Sequence, residues 1–370
     1  MTSSTSYREA GVDTAAGDRA VELMKAAVAK THGPEVFGGF GGFAGLFDAS
    51  ALTAFRRPLL ATSTDGVGTK VAIAQAIDKH DTNGQDLVGM VVDDIVVVGA
   101  KPLFMTDYIA CGKVHPERIA SIVSGIAQAC SDTGTALIGG ETAEHPGLLG
   151  VDDYDVAGAC TGAVEADAIL GEHRVEDGDV VLALASSGLH SNGFSLVRHI
   201  LAQAGVGYAD HSDDLGTTFG EALLEPTRLY TLPLLRLLDA PAFAGGVHSL
   251  SHVTGGGIAA NLARVLPKGS WAEVDRSTWS PSPVFRTLSA LAGSSLESSE
   301  GTWNLGVGFF AVVSPAVAAG VTAALEADGI ATWQVGTVHL GDAAADLSAF
   351  EQGAKGVDGG AVRLVGAYRD

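Results

Sequence analysis

Five glycine clusters punctuate this chain, at 38–45, 66–68, 139–140, 188–193 and 255–257, and each borders a segment of regular hydrophobic periodicity. Glycine spread evenly would read as a linker. Glycine gathered at the ends of strands and helices reads as backbone-lined loops, where a missing side chain lets main-chain amides approach a ligand. Alternating strands and helices with such loops at their ends predict an α/β or α+β fold. The 370 residues are 46% hydrophobic and 18% charged, which excludes a disordered chain and allows a large core. One core is outgrown at this length, so two domains are expected, residues 1–170 and 171–370, divided in the polar stretch EADAILGEHRVEDGD.

Charge and cysteine usage narrow the partners. Twenty-two Lys and Arg stand against 43 Asp and Glu, a net charge of −21 with no basic cluster, so no nucleic-acid or anionic-membrane surface is expected. Cys111, Cys130 and Cys160 make neither a disulfide framework nor a metal knuckle, which fits a reducing cytoplasm. No basic and apolar leader follows Met1, and no run of about 18 apolar residues occurs, so neither export nor a membrane span is expected.

Periodicity predicts helices at Asp18–Lys30, Leu87–Val98 and His115–Thr133, and strands at Pro58–Thr64, Leu103–Cys111, Ala136–Ile138 and Asp155–Val164. Leu87–Val98 is rich in β-branched residues and would also suit a strand; its apolar spacing and the following Gly99 favour a helix. In the second half, strands are expected at Val180–Ala185, His248–Val253, Asn304–Val313 and Ala331–Val338. Helices are expected from Ser195, from Pro226, from Ile258 and over Pro315–Ala327, the last capped by Ser314.

Gly38-Gly39-Phe40-Gly41-Gly42-Phe43-Ala44 spells a dinucleotide fingerprint by letter, but a helix and a proline precede it where that motif needs a strand. It reads either as a flexible loop or as a lid whose amides close over a ligand. Thr64-Asp65-Gly66-Val67-Gly68-Thr69-Lys70 places an acid, two glycines and a lysine at a strand end. It is a plain turn, or a site where Asp65 holds Mg²⁺ while amides and Lys70 meet phosphate oxygens. Asp93-Asp94 interrupts the apolar run VGMVVDDIVVVGA, and a buried carboxylate demands a metal or cationic partner unless both acids lie on a wet side of the helix. Gly139-Gly140-Glu141-Thr142 ends another short apolar strand with an acid. Asp65, Asp94 and Glu141, without matching His or Cys, suggest oxygen-preferring Mg²⁺ on nucleotide phosphates.

Ser186-Ser187-Gly188-Leu189-His190-Ser191-Asn192-Gly193 lies between a strand and a helix and offers hydroxyls, an amide and glycines to a phosphate or polar ligand. His252-Val253-Thr254-Gly255-Gly256-Gly257 repeats that arrangement. Either histidine could instead brace backbone. Neither a nucleophile elbow nor an HExxH zinc motif occurs, which leaves serine hydrolase and zinc protease chemistry without support.

Read in order, GGFGGFAGLF, TDGVGTK, VVDDIVVVGAKPLFMTDYIACGKV, LIGGETAEHPG, YDVAGACTG, SSGLHSNGFSLVR and HVTGGGIAANLARVLP resemble the phosphoribosylformylglycinamidine cyclo-ligases, or AIR synthetases, over nearly the whole chain. The resemblance implies ATP-dependent closure of formylglycinamidine ribonucleotide to aminoimidazole ribonucleotide, with ADP and phosphate released. It implies a homodimer whose N-terminal sheets join into a shared barrel, beside a C-terminal α/β domain. Carried over by motif, Asp65, Gly66, Gly68, Thr69, Lys70, Asp94 and Glu141 handle Mg-ATP under the loop Gly38, Gly39, Phe40, Gly41 and Gly42. Ser187, Gly188, His190, Ser191 and Asn192 face the substrate, with His190 catalytic. Thr254, Gly255, Gly256 and Gly257 receive a phosphate. Lys30, in AKTHGPEV, matches a position near the nucleotide and is the second catalytic candidate. Asp93 stands where many relatives have Asn, so Asp94 is the preferred metal ligand. Other readings are an ATP-dependent synthetase with another small substrate and a catalytically silent binding dimer.

Overall fold

The computed structural model describes residues 13–38, 42–341, 349–353 and 356–369. The chain divides into two compact units: residues up to Ile95 with Lys101–Glu165, and Val96–Ala100 with Ala166 onward. The expected boundary near residue 170 lies in the short turns that open the second unit.

The first unit begins with α1 (Thr14–Ala29), capped by Asp13, whose side chain accepts from the amides of Ala15 and Ala16. A two-stranded hairpin, β1 (Val36–Phe37) and β2 (Leu46–Phe47), precedes β3 (Pro58–Gly66), α2 (Val71–Ile77), α3 (Asn83–Val97) and β4 (Lys101–Cys111). Next come α4 (Pro116–Thr133), β5 (Ala136–Glu144) and β6 (Tyr154–Glu165). The sheet order is β3-β6-β4-β5, antiparallel except for the parallel β4/β5 pair.

The ambiguous apolar run is a helix, and burial on nearly every side explains its strand-like composition. Leu87, Val88, Val91, Val92 and Val96 of α3 are all buried. α4 shows why its prediction is sharp: Pro116 opens it, Ile119, Ile122, Val123, Ile126 and Cys130 are buried, and Gly134 closes it at φ 68°. α3 and α4 cross closely enough that a Cβ on Gly84 would overlap the Ile126 amide. Along β4, Met105, Asp107, Ile109 and Cys111 point to the buried side while Thr106 and Tyr108 are exposed.

The second unit contains β7 (Val180–Ala185), α5 (Phe194–Ala204), a small ribbon of β8 (His211–Ser212) and β9 (Thr217–Thr218), α6 (Phe219–Leu223) and α7 (Thr231–Asp239). It continues with β10 (Val247–His252), α8 (Gly257–Ala263), β11 (Ser270–Asp275), α9 (Pro283–Ala292), β12 (Val307–Val313), α10 (Ala318–Ala327), β13 (Thr332–Leu340), β14 (Glu351–Gln352) and β15 (Ala361–Val365). The sheet order is β10-β12-β7-β13-β11-β15-β14, with β11/β15 the parallel pair. Neighbouring β7 and β12 are buried along almost their whole length, which is why they read as continuous apolar runs; β10, VHSLSH at the sheet's edge, is buried as well although four of its six residues are polar.

Two expected helix starts are corrected. Residues 224–230 form no helix, which begins at Thr231; Ser187 Oγ donates to Pro226 O at 2.6 Å, so this segment braces a loop. The last helix starts at Ala318 with Val317 at its cap, and Ser314 supplies only a carbonyl to the Val317 amide. The Gly139–Thr142 stretch is also not a strand end, because β5 runs on to Glu144 beside β4. No described helix is long and apolar enough to cross a membrane.

Candidate active site

In the first unit, β3 carries Asp65 to the end of the sheet, where the carboxylate is exposed and accepts from the Gly66 amide at 2.7 Å. The Val67 amide donates to Val156 O, and Gly68, at φ 71°, turns the chain into the short helical turn Gly68–Lys70. Asp94 is half-buried on α3, and Glu141 is exposed on β5, its carboxylate accepting from the Thr142 amide. Asp93 is 0% exposed, so the reading that both acids of the pair face water is excluded.

One expectation is corrected here, that of Lys70. Among the described residues, no three His, Cys, Asp or Glu side chains gather into a metal-holding group, Asp65, Asp94 and Glu141 included. The donors are still oxygen-only, with Asp65 and Glu141 open to solvent. That suits Mg²⁺, which keeps few protein carboxylates and takes phosphate oxygens and water for the rest. Lys70 does not reach outward for phosphate: it is 0% exposed, and its Nζ donates to Asp86 Oδ1 at 2.8 Å, also 0% exposed.

Lys30 is exposed just beyond α1. The next two residues fix that helix end to the sheet, since Thr31 Oγ1 accepts from the Leu137 amide at 3.0 Å and His32 Nε2 pairs with Leu137 O at 2.8 Å. Gly38 and Gly42 fall in the tip of the β1/β2 hairpin, whose returning strand sets Phe47 5.3 Å from Phe104. Gly39, Phe40 and Gly41 lie outside the described residues.

In the second unit the loop after β7 is held from within. Asn304 Nδ2 donates to Gly188 O at 2.9 Å, while Asn304 Oδ1 accepts from the Gly306 amide at 2.9 Å and from Ser186 Oγ at 3.3 Å. Tyr230 Oη donates to Ala185 O at 2.8 Å. His190, expected to face the substrate, braces this loop from within. It is 1% exposed, sits at φ 60°, and its Nε2 accepts from the Ser187 amide at 3.2 Å. Its ring lies 6.1 Å from that of Tyr230. Glycine at 308 keeps this space open: a Cβ there would overlap Tyr230 Oη and stand 2.6 Å from His190 Cε1.

Ser191 and Asn192, half-buried, follow this brace. Asn192 Oδ1 lies 3.5 Å from where a Cβ on Gly255 would stand, so the two glycine-rich loops of this unit meet. Asn261 Nδ2 donates to Thr254 O at 3.1 Å and to Gly257 O at 2.7 Å, fixing the Thr254–Gly257 turn. The Gly257 amide closes the turn onto Thr254 O, and the amides of Thr254, Gly255 and Gly256 with the Asn192 carboxamide form a polar surface suited to an anionic, hydrogen-bonding ligand.

Sequence reasoning missed Asp86, Asn304 and Asn261 as supports. Each was visible only as a polar residue in an apolar setting, such as Asp86 just before Leu87-Val88. It also passed over Asp107, 8% exposed on β4, whose carboxyl is pushed up to about 7 by burial. Burial likewise raises the thiols of Cys111, Cys130 and Cys160, which removes them as nucleophiles.

Residues 48–164 match the N-terminal domain of the AIR synthase related proteins, and residues 176–344 match the C-terminal domain. The phosphoribosylformylglycinamidine cyclo-ligase of Thermosynechococcus vestitus is 46% identical over 336 residues, covering 90% of this chain and 96% of that one. That of Methylobacillus flagellatus is 45% identical over 336 residues, covering 91% and 95%. In fold the chain is similar to Escherichia coli HypE, a hydrogenase maturation protein, at TM-score 0.62 and 21% identity over 93% of this chain and 92% of that one. It is also similar to thiamine-monophosphate kinase from Stenotrophomonas maltophilia, at TM-score 0.61 and 17% identity over 94% and 96%. Both domains and near-complete coverage on each side lead to one assignment: the chain belongs to the phosphoribosylformylglycinamidine cyclo-ligase family.

Proposed function

We infer that the protein closes the imidazole ring of aminoimidazole ribonucleotide from formylglycinamidine ribonucleotide, using ATP and releasing ADP and phosphate. The carrying observation is the 46% identity to a named cyclo-ligase over 90% of this chain and 96% of that one.

A formamide oxygen is a poor leaving group, so it must first be activated. The formyl oxygen attacks the γ-phosphorus of ATP and ADP departs. The amidine nitrogen then attacks the activated carbon, the C–O bond breaks, and inorganic phosphate leaves with the former formyl oxygen while nitrogen gives up its proton. Asp65, Asp94 and Glu141 would hold Mg²⁺, which supplies charge neutralisation on the phosphates. Gly66, Gly68 and Thr69 line the nucleotide, the hairpin loop containing Gly38 and Gly42 covers it and keeps water out, and the exposed Lys30 ammonium adds positive charge. Ser187, Gly188, Ser191 and Asn192 orient the substrate. Thr254, Gly255, Gly256 and Gly257 take its phosphate, and His190 acts through the loop it braces.

A second copy is expected on the first unit. β3 is a nine-residue edge strand, and Leu60 and Tyr108 are exposed apolar side chains of the same sheet. Incubation of the purified chain with formylglycinamidine ribonucleotide and Mg-ATP should give equal amounts of ADP, phosphate and aminoimidazole product. ATP hydrolysis indifferent to that substrate, or none at all, contradicts the reading. Sedimentation at micromolar concentration should show a dimer; an active monomer would remove the second copy.

A further inference from the structure

We propose that the buried Lys70–Asp86 ion pair is a positioning device: it sets the spacing between the Asp65 turn and the Asp94 stretch of α3, and through it the affinity for Mg-ATP. This rests on the reading of Asp65 and Asp94 as the acids that take the nucleotide-borne ion.

The pair joins the two elements that carry those acids. Lys70 closes the helical turn five residues after Asp65 and leads directly into α2, so its backbone has little freedom relative to Asp65. Asp86 lies eight residues before Asp94 on α3, about 12 Å along the helix axis. Asp86 and Asp93 are seven residues apart, about 20° short of two full turns, so the ion pair lies on the same helix face as buried Asp93 with Asp94 beside it. Nζ and Oδ1 are 2.8 Å apart, and both side chains are 0% exposed.

Stability alone is a weak reason to bury such a pair. Stripping water from an ammonium and a carboxylate is costly, and apolar side chains of similar volume often hold a core equally well. An apolar contact, however, tolerates sliding. A charge-assisted hydrogen bond fixes both distance and direction. Leu87, the next residue on α3, touches the sheet near Gly158 through such a slidable contact, its Cδ2 3.2 Å from where a Cβ on Gly158 would stand. The ion pair is a directional link between turn and helix.

The test is titration calorimetry of Mg-ATP into the full chain, with melting temperature and the Mg²⁺ dependence of ADP formation measured alongside. Lys70→Met/Asp86→Leu removes both charges together. It is expected to melt near the parent or above it, to bind Mg-ATP at least about tenfold more weakly, and to need correspondingly more Mg²⁺ for half-maximal turnover, the scale on which groups supporting metal ligands act. Asp86→Glu keeps the pair but lengthens one arm by a methylene; it should also weaken Mg-ATP while melting close to the parent. A folded variant of either kind that binds Mg-ATP like the parent overturns the proposal, and so does failure of both to fold, which would make the pair a requirement of folding alone. The underlying reading fails separately, if the parent itself does not bind Mg-ATP or if Asp94→Asn binds it equally well.

Discussion

Replacing Asn304 with alanine should loosen the loop after β7 without touching the nucleotide half of the reaction. Three hydrogen bonds go: the one donated to Gly188 O at 2.9 Å, the one accepted from the Gly306 amide at 2.9 Å, and the longer one from Ser186 Oγ at 3.3 Å. Each is worth about 0.5–1.5 kcal/mol net, and Asn304 is only 4% exposed, so water cannot readily replace them; the loss should be about 2–3 kcal/mol. For a domain of roughly 150–250 residues, that lowers the melting temperature by about 4–12 °C. Because Gly188 begins the segment that presents Ser191 and Asn192, the KM for formylglycinamidine ribonucleotide should rise about tenfold for each ~1.4 kcal/mol of lost loop order. The KM for ATP should stay within about twofold, since none of the three bonds involves the first unit. Scanning calorimetry and steady-state kinetics on the same preparation measure both. Unchanged melting temperature and substrate KM, or equal losses in both KM values, would refute the reasoning.

Asp107→Asn tests the pH sign of a buried acid. Its folded-state carboxyl titrates near 7, above its value of 3.8 in an ordinary setting, so its ionisation weakens the fold progressively as pH rises between those values. The variant should melt above the parent at pH 8 and match it near pH 4; a gain that is equal at both values would exclude the burial penalty. Asp94→Asn should keep its melting temperature and lose most Mg-ATP-dependent turnover, and unchanged turnover would sink the metal assignment. His190→Ala should lower the melting temperature and raise the substrate KM while leaving the shape of the kcat–pH profile intact. A lost ionisation in that profile with an intact melting temperature would restore a proton-transfer role.

The elements legible in sequence are those whose burial is one-sided and whose ends carry local chemistry. α4 has its stripe, Pro116 and Gly134, and β6 is flanked by polar turns. α3 is harder to read because a helix buried nearly all round loses the polar face that marks its period. β11, α9 and β15 receive no assignment from the sequence. The strand SWAEVD mixes a tryptophan with two acids, and its stability comes from pairing with β13 and β15, partners remote in the chain. The candidate site divides in the same way. Glycine turns and strand-end acids announce themselves by composition. What a charged or polar side chain does next is decided by its partner. Lys70 reads as a phosphate ligand until Asp86 is seen beneath it, and the bond from the Ser187 amide to His190 Nε2 is visible only in the fold. Spacing along the chain cannot supply those partners, because Asp86 is 16 residues from Lys70 and Asn304 is 116 residues from Gly188.

In the proposed reaction, phosphoryl transfer to the formyl oxygen precedes ring closure. The most direct measurement uses formylglycinamidine ribonucleotide labelled with ¹⁸O in the formyl group, turned over by the purified chain with unlabelled Mg-ATP in unlabelled water, with the released phosphate analysed by mass spectrometry. One labelled oxygen in each phosphate, formed in step with aminoimidazole ribonucleotide, is the expected result. Unlabelled phosphate formed alongside the imidazole product would contradict the account, because ATP would then be hydrolysed without ever bonding to the oxygen that must leave.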